Sequence, residues 1–185
     1  MTIAMTIKVS EKIQNNLVNL RQQLKILGEE SSDKQPVELL AVSKKHSIDA
    51  IKAAAEADQV HFGENYVQEG VEKTQQLKAE GFNQLQWHFI GPLQSNKTKD
   101  VAEHFDWVQS IEREKIARRL NEQRPSDKPP LNVLLQVNID DDDNKSGLSA
   151  DDVENLARFV SNCENLKLRG LMTILKAGTS EQERR

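Results

Sequence analysis

The residues that first suggest chemistry are two adjacent lysines, Lys44 and Lys45, which follow an apolar run at residues 37–42. The run is too short for a helix and too uniformly apolar for a half-exposed strand, so it predicts a strand buried on both faces. If Leu40 and Val42 point inward, strand alternation directs Lys44 inward as well. A desolvated lysine amine favours its neutral form, which can attack a carbonyl group and form a Schiff base. Two solvated lysines at the start of a loop explain the same residues, and the residues alone favour that simpler interpretation.

A second candidate is a phosphate-binding loop at residues 91–98, which read GPLQSNKT. The segment lies between a predicted strand and a predicted helix, as the P-loop pattern GxxxxGKS/T requires. Asn96 stands in place of the second glycine of that pattern, and its side chain occupies space through which the backbone would approach phosphate. A magnesium-dependent nucleotide site built on Lys97 and Thr98 is therefore a weaker hypothesis than the lysine site.

Metal sites find little support in the sequence. An EF-hand loop that began at Asp140 would need a glycine in place of Lys145 and a glutamate in place of Asp151. The four histidines are scattered along the chain and form no HExxH pair, which argues against a zinc hydrolase. The single cysteine, Cys163, excludes an internal disulfide and a cysteine-based zinc site. We therefore predict no bound metal.

The composition argues against several classes of partner. The 185 residues include 25 Lys and Arg against 29 Asp and Glu, a net charge of -4. A chain without surplus positive charge is a poor candidate for general binding to nucleic acid or anionic membranes. Apolar runs stay well below the roughly 20 residues of a membrane span, and the N-terminus lacks the basic start and apolar core of a signal peptide. We expect a protein of the reducing cytoplasm.

Strands and helices alternate along the sequence. A helix is predicted at residues 10–28, and six strand candidates follow, the first five each with a helix behind it. The strand candidates span residues 37–42, 60–62, 85–90, 105–108, 131–139 and 166–174. Ser47 is predicted to cap the second helix, and Ser149 with Asp152 to form a capping box before the last one. The alternation predicts a parallel sheet whose site lies at the carboxyl ends of the strands. Six strands are few for a (β/α)8 barrel, so the spacing alone favours an open doubly wound sheet.

Several longer motifs occur in one order along the chain. They read LLAVSK at residues 39–44, FGENYVQE at 62–69, WHFIGPLQSNK at 87–97, KSG at 145–147 and LRGLM at 168–172. With them the sequence closely resembles the pyridoxal phosphate homeostasis proteins, from the first helix to about Ile174. The resemblance implies an α/β fold of the (β/α)8 TIM-barrel type, like the N-terminal domain of alanine racemase, in place of the open sheet. It also makes residues 91–98 a family loop and not a degraded P-loop.

The same resemblance implies that the chain binds pyridoxal 5'-phosphate (PLP) in intracellular vitamin B6 homeostasis and holds it as a Schiff base on Lys44. Asn65, His88, Asn138 and Met172 fall at strand ends that resemble the rest of the family's cofactor pocket. No catalytic turnover is expected, because a racemase needs a second base on the opposite face of the cofactor, which another domain supplies in that enzyme. Residues 1–185 would form a single, incomplete PLP-binding barrel domain. It would be a monomer whose partner is a small molecule, with neither nucleic acid nor membrane.

The sequence departs from the family near its end. The family's late strands carry a Ser-Met-Gly-Met-Ser-like and an Arg-Ile-Gly-Thr-like motif, which form its phosphate cup, and this sequence contains neither. A chain truncated in this way, with about six of the eight strands, would have open strand edges prone to self-association and a cofactor site without its phosphate anchor. Three alternatives stay open: a PLP-dependent racemase or lyase that uses Lys44, the nucleotide site at residues 91–98, and a product that no longer binds PLP tightly.

Overall fold

Six parallel strands pair in the order of the sequence in the computed structural model, which describes residues 2–30, 36–140, 142, 145–176 and 178. The strands are β1 (Ala41–Val42), β2 (His61–Glu64), β3 (Gln86–Phe89), β4 (Trp107–Ile111), β5 (Leu131–Gln136) and β6 (Leu166–Met172). The helices are α1 (Thr2–Glu30), α2 (Ile48–Ala55), α3 (Val67–Ala79), α4 (Thr98–His104), α5 (Glu114–Gln123) and α6 (Val153–Ser161). Single 3-10 turns at Ser95–Lys97 and Ala150–Asp152 lead into α4 and α6. Side chains of α1 are described from residue 10 to residue 29.

The strand order distinguishes the two architectures that the spacing left open. Each strand pairs in parallel with its neighbour in sequence, from β1 beside β2 through to β5 beside β6. A doubly wound sheet reverses its order at a switch point, whereas a barrel adds every strand on the same side. The (β/α)8-type fold is therefore confirmed for the described strands, and the open sheet favoured by spacing is wrong. Spacing could not decide between them, because both folds use the same strand–helix repeat.

The sheet has a covered face and an inner face. The covered face carries Phe62, Phe89, Val108 and Val133, which are packed under the helices at 1% exposure or less. Each fully buried side chain of this kind contributes about 1.5–3 kcal/mol. The inner face carries the row of paired residues Val42, Gly63, His88, Trp107, Asn132 and Lys167. Because side chains alternate along each strand, the inner face collects the side chains that point into a barrel.

Strand β1 differs most from its prediction. The sequence predicts a strand at residues 37–42 buried on both faces, but the structure contains only Ala41–Val42, with Val37 60% and Val42 45% exposed. In the described part of the chain, β1 pairs with β2 alone, so no strand lies beside its other edge. Val42, on the inner face, is therefore less covered by the described residues than a side chain of a fully buried strand would be.

The helices confirm one predicted cap and correct another. Ser47 Oγ accepts a hydrogen bond from Ala50 N at 3.3 Å at the start of α2, as predicted. The predicted capping box is wrong, because Ser149 Oγ donates to Asp152 Oδ2 at 2.7 Å and a 3-10 turn occupies these residues ahead of α6. The charged carboxylate captures the hydroxyl hydrogen, so neither side chain caps a backbone amide. Within the described residues, no helix combines the length and the apolar character needed to cross a membrane.

Candidate functional site

Lys44 lies in a tight turn directly after β1. Ser43 N donates to Gly63 O at 2.9 Å, which extends the pairing with β2 by one residue, and His46 N donates to Ser43 O at 3.0 Å. Lys45 follows with a φ of 62°, a left-handed conformation that few residues other than glycine adopt. The backbone thus bends sharply at the point where a parallel strand presents its functional residues.

The Lys44 side chain is exposed. Among the described residues, its amine has no hydrogen-bond or ion-pair partner. The desolvation expected from a fully buried strand is therefore not found, for the same reason that Val42 is exposed. An amine without a partner at the carboxyl end of a strand is available to a ligand.

Three buried polar residues and one half-buried residue, Glu69, lie behind this turn. We call Ser43, Glu64, Glu69 and Lys73 the Lys73 cluster. Glu64 ends β2 at 0% exposure, and its Oε1 accepts from Ser43 Oγ at 2.6 Å and from Lys73 Nζ at 2.8 Å. Lys73 Nζ also donates to Ser43 O and to Glu69 Oε1, both at 2.7 Å. Lys45 N donates to Glu69 Oε1 at 2.6 Å. The cluster therefore holds both residues that flank Lys44.

Helix α3 reaches the turn through two side chains, Glu69 and Lys73. They lie four residues apart and so share one side of the helix. Burial by itself would raise the pKa of Glu69, but hydrogen bonds from the Lys73 ammonium and from Lys45 N–H outweigh it and lower that pKa overall. The sequence motifs did not point to this cluster. The available signal was a lysine at a core position, because Lys73 lies on the same buried stripe of α3 as Gly70 and Leu77.

Below the strand ends, the inner face holds a linked set of rings. His61 Nδ1 lies 2.9 Å from His88 Nε2, and Gln109 Nε2 lies 3.0 Å from His88 Nδ1. Trp107 stacks on the His88 ring at 5.0 Å between centroids, and the Arg169 guanidinium lies 5.7 Å from the centre of the Trp107 ring. Because the Gln109 amide nitrogen is a donor, His88 Nδ1 is unprotonated, and the Nε2 hydrogen is donated to His61. Burial, followed by the neighbouring His61, lowers the pKa of His88 to about 3, so the ring is neutral.

The other predicted site residues differ in whether their polar side-chain atoms already have hydrogen-bond partners. His88 is 5% exposed and both of its ring nitrogens are engaged, so it lines the inner face through its ring. Asn65 follows β2, and its Oδ1 is buried without a partner among the described residues. Asn138 follows β5, and its Nδ2 donates to Asp142 O at 2.9 Å, which commits the side chain to its own loop. Met172 ends β6 and is half-buried. The fold thus brings Lys44, Asn65 and His88 to three adjacent strands, and Asn138 and Met172 to two strands farther along the sheet.

Two glycines shape the strand ends next to Lys44. Gly63 lies on the inner face between β1 and β3, where an added Cβ would lie 3.1 Å from Ile90 Cδ1. At Gly91 an added Cβ would lie 2.2 Å from Asn65 O, a backbone atom that cannot easily move. An added Cβ would therefore crowd side chains at Gly63 and rigid backbone at Gly91.

The structure argues against the nucleotide hypothesis and describes only part of the candidate calcium loop. Thr98 is 0% exposed, and its Oγ1 lies 2.7 Å from Gln123 Oε1 and 3.1 Å from Arg119 Nε, so the hydroxyl belongs to helix packing. Asp140 pairs with Lys145 Nζ at 2.7 Å, while residues 141, 143 and 144 lie outside the described residues. Across the part of the chain that the structure describes, no three His, Cys, Asp or Glu side chains are grouped to hold a metal ion.

Comparison with known proteins identifies the family. The sequence profile of the alanine racemase N-terminal domain matches residues 15–184. The pyridoxal phosphate homeostasis protein of Haemophilus influenzae is 55% identical over 163 residues, which cover 88% of this chain and 68% of that protein. The chain belongs to the pyridoxal phosphate homeostasis family. The Escherichia coli member of this family is 48% identical over 163 residues, which cover 88% of this chain and 70% of that protein.

Solved structures agree with this family membership. PipY from Synechococcus elongatus, solved without PLP, superposes with a TM-score of 0.80 at 36% identity, over 93% of this chain and 75% of PipY. PipY with PLP bound gives a TM-score of 0.78 at 35% identity, over 93% and 74% of the two chains. Alanine racemase from E. faecalis shares the fold alone, with a TM-score of 0.65 at 18% identity over 93% of this chain and 43% of the racemase.

Proposed function

We propose that this family member binds PLP in intracellular vitamin B6 homeostasis, with Lys44 as the residue that holds the cofactor covalently. The observation that carries the proposal is the Lys44 amine, which is exposed at the carboxyl end of β1 and has no partner among the described residues. Barrels of this type place their functional sites at that end of the strands. The relatives are named for pyridoxal phosphate, and PipY has been solved with PLP bound.

The residues at these strand ends fit the aldehyde of PLP. The neutral Lys44 amine would attack the aldehyde carbon, the carbonyl oxygen would leave as water, and a carbon–nitrogen double bond would join the two. Asn65 offers a buried acceptor, Oδ1, which lacks a partner in the described residues. Gly63 adds no side chain of its own to the inner face beside β1, where Ile90 and Leu40 are its nearest neighbours. When bound, the cofactor supplies an electron-withdrawing ring.

The remaining predicted residues have narrower roles in this proposal. His88 would contact the cofactor through its ring, because both of its nitrogens are engaged. Asn138 would act through the loop that it holds, since Asp142 N donates to Asn138 Oδ1 at 3.3 Å. Met172 would present a half-buried apolar side chain at the end of β6. Residues 1–185 would act together as one PLP-binding barrel domain.

We expect no turnover of amino acids by this chain. A racemase or lyase needs a base that can move a proton. Burial and the neighbouring His61 lower the pKa of His88 to about 3, so this ring does not take up a proton near neutral pH. The alternative, a PLP-dependent racemase or lyase that uses Lys44, predicts conversion of a single-enantiomer amino acid by the PLP-loaded chain. Chiral chromatography of the products distinguishes the two.

We propose that the protein acts in the cytoplasm and that its partner is a small molecule and not a macromolecule. The net charge of -4 gives no attraction to nucleic acid or to anionic membranes. We propose a monomer, with self-association through the outer edges of β1 and β6, the two ends of the described sheet, as the alternative. Light scattering of the PLP-free chain over a range of concentrations distinguishes a monomer from an associating protein.

A trapping experiment tests the proposed site. Purified protein is mixed with PLP, the visible spectrum is recorded, the adduct is reduced with borohydride, and the modified residue is mapped by mass spectrometry. We expect a stoichiometric adduct on Lys44 and none in Lys44→Ala. The control is Lys45→Asn, which changes the adjacent exposed lysine while keeping a residue that tolerates left-handed backbone. Label scattered over many lysines, or a stoichiometric adduct in Lys44→Ala, would contradict the proposal.

A further inference from the structure

Lys73 is a buried lysine whose hydrogen-bond donors are all used. It is 6% exposed, and its ammonium donates to Ser43 O, Glu64 Oε1 and Glu69 Oε1 at 2.7, 2.8 and 2.7 Å. A lysine ammonium has three hydrogens, so these three acceptors saturate it. One of the acceptors is a backbone carbonyl of the turn that carries Lys44, which belongs to a different element of the fold.

The Lys73 cluster is a poor source of stability. Taking the Glu64 carboxylate and the Lys73 ammonium out of water carries a large desolvation penalty, and apolar side chains of similar volume often stabilise a fold more. Glu64 Oε2 adds to the penalty, because it is buried without a partner among the described residues. Lys73 also lies on the stripe of α3 between Gly70 and Leu77, where an apolar residue would pack. A role in geometry explains this arrangement better than a role in stability.

The contacts of the cluster fall on both sides of Lys44. On one side, Ser43 O accepts from Lys73 Nζ at 2.7 Å. On the other, Lys45 N donates to Glu69 Oε1 at 2.6 Å, and Lys45 has a φ of 62°. A residue other than glycine stays in that conformation when the contacts around it determine it. The backbone of the turn is therefore held from α3 at two points, and the Lys44 side chain is left free.

We infer that Lys73, Glu64 and Glu69 are positioning residues for Lys44. They hold its turn so that the amine meets the aldehyde of PLP in a suitable orientation. This inference rests on the proposed function, which makes Lys44 the residue that binds the cofactor. A fixed turn removes orientational freedom before the bond between Lys44 and PLP forms. Loss of the cluster should therefore slow the formation of this bond by more than a loss of fold stability alone would explain.

Four variants on α3 separate positioning from stability. Glu69→Ala releases Lys45 N, and Lys73→Met removes the ammonium while keeping a long side chain. Glu72→Ala is the matched control for charge, because it removes an exposed carboxylate from the same helix. Leu77→Ala is the control for stability, because it opens a cavity at a residue with 0% exposure and leaves the cluster in place.

The first measurement needs no cofactor. Hydrogen exchange at the Lys45 amide, followed by NMR, should be about tenfold faster in Glu69→Ala than in Glu72→Ala, because a hydrogen bond to a carboxylate is lost. Equal exchange rates in the two variants would mean that Glu69 does not hold the turn, and the inference would be wrong.

The second measurement is the rate at which a borohydride-reducible PLP adduct forms on Lys44. We expect the rate to fall about tenfold in Glu69→Ala and in Lys73→Met. Leu77→Ala should keep the wild-type rate even though its urea midpoint falls. If Lys73→Met does not fold, Glu69→Ala carries the test, because Glu69 is only half-buried.

The outcomes separate this inference from the proposed function. Wild-type rates in Glu69→Ala and Lys73→Met would overturn the positioning role and leave PLP binding intact. A wild-type chain that forms no adduct on Lys44 would overturn both, and this is seen before any variant is compared. Slower adduct formation in the two cluster variants, together with a wild-type rate in Leu77→Ala, is the result that supports the inference.

Discussion

The rings of His61 and His88 meet edge to face, with Nδ1 of His61 2.9 Å from Nε2 of His88. The second nitrogen of His88 is taken by Gln109, so His88 is a neutral, fully hydrogen-bonded ring in the inner face of the sheet. A protonated His88 ring would carry a positive charge and a hydrogen on each of its two nitrogens. The site offers these two donors only one acceptor, His61 Nδ1. Protonation of His88 would therefore destabilise the inner face of the sheet.

Stability should fall with acidification because of His88. Its pKa is lowered from 6.5 to about 3 by burial and by His61, so between these values the unfolded chain binds a proton that the folded chain does not. The contribution of neutral His88 to the free energy of unfolding is fully present above pH 6.5. As the pH falls from 6.5 toward 3, the free energy of unfolding decreases by up to about 1.4 kcal/mol per pH unit. Urea unfolding at several pH values measures it. His88→Leu should remove this slope, whereas exposed His46→Ala should keep it; equal slopes in all three proteins would contradict the assignment.

Arg124 should be important for stability and not for PLP. Its guanidinium is 6% exposed and donates to Ala102 O, Phe105 O and Pro129 O at 2.7, 2.8 and 2.9 Å. Arg124→Met removes the charged donor from three carbonyls, which should lower the free energy of unfolding by about 3 kcal/mol. Arg158→Ala is the control, since its side chain is 71% exposed and its ion pair with Glu154 contributes less than about 1 kcal/mol. Urea denaturation followed by circular dichroism measures both, and similar losses would show that burial of Arg124 is not decisive.

Gly91 should not tolerate a side chain. An added Cβ would lie 2.2 Å from Asn65 O. Gly91→Ala must therefore displace the backbone of Asn65, just after β2, at a cost of about 1–3 kcal/mol. Gly28 in α1 has no atom within 4 Å of the same added Cβ. Gly28→Ala should therefore raise stability by up to about 1 kcal/mol, because alanine favours a helix more than glycine does. Thermal unfolding of the pair gives opposite signs if this packing is correct.

Gly63 should matter more for PLP than for stability. The atoms nearest to its added Cβ belong to two flexible side chains, with Ile90 Cδ1 at 3.1 Å and Leu40 Cδ2 at 3.4 Å, and these side chains can shift. The new methyl group would occupy the inner face next to the strand that carries Lys44, so Gly63→Ala should weaken PLP binding about tenfold. A spectroscopic PLP titration measures this, with Gly28→Ala as the control. Identical titration curves would mean that the cofactor does not lie over Gly63.

Several features followed from local sequence. The strand–helix repeat and the cap at Ser47 depend on residues close together in the chain, and the structure confirms both. The motifs from residue 39 onward indicated the family and with it the barrel-type fold, which the family profile and the strand order confirm. Lys44 was identified in the same way, and its role as the cofactor residue stays a prediction. Even the wrongly predicted capping box at Ser149 is a local error, because it concerned two side chains that had a choice of partner.

Other features depended on contacts that no sequence pattern reports. The His61–His88 pair joins residues 27 positions apart, and the bond from Lys73 to Ser43 O joins residues 30 positions apart. Spacing alone favoured the wrong sheet, since a strand–helix repeat does not say which strands become neighbours. Val42 and Lys44 are exposed because no strand lies beside the outer edge of β1 in the described residues, which an apolar run cannot reveal. Local patterns determine which elements form, whereas the pairing of distant strands determines which polar groups are free and which are held.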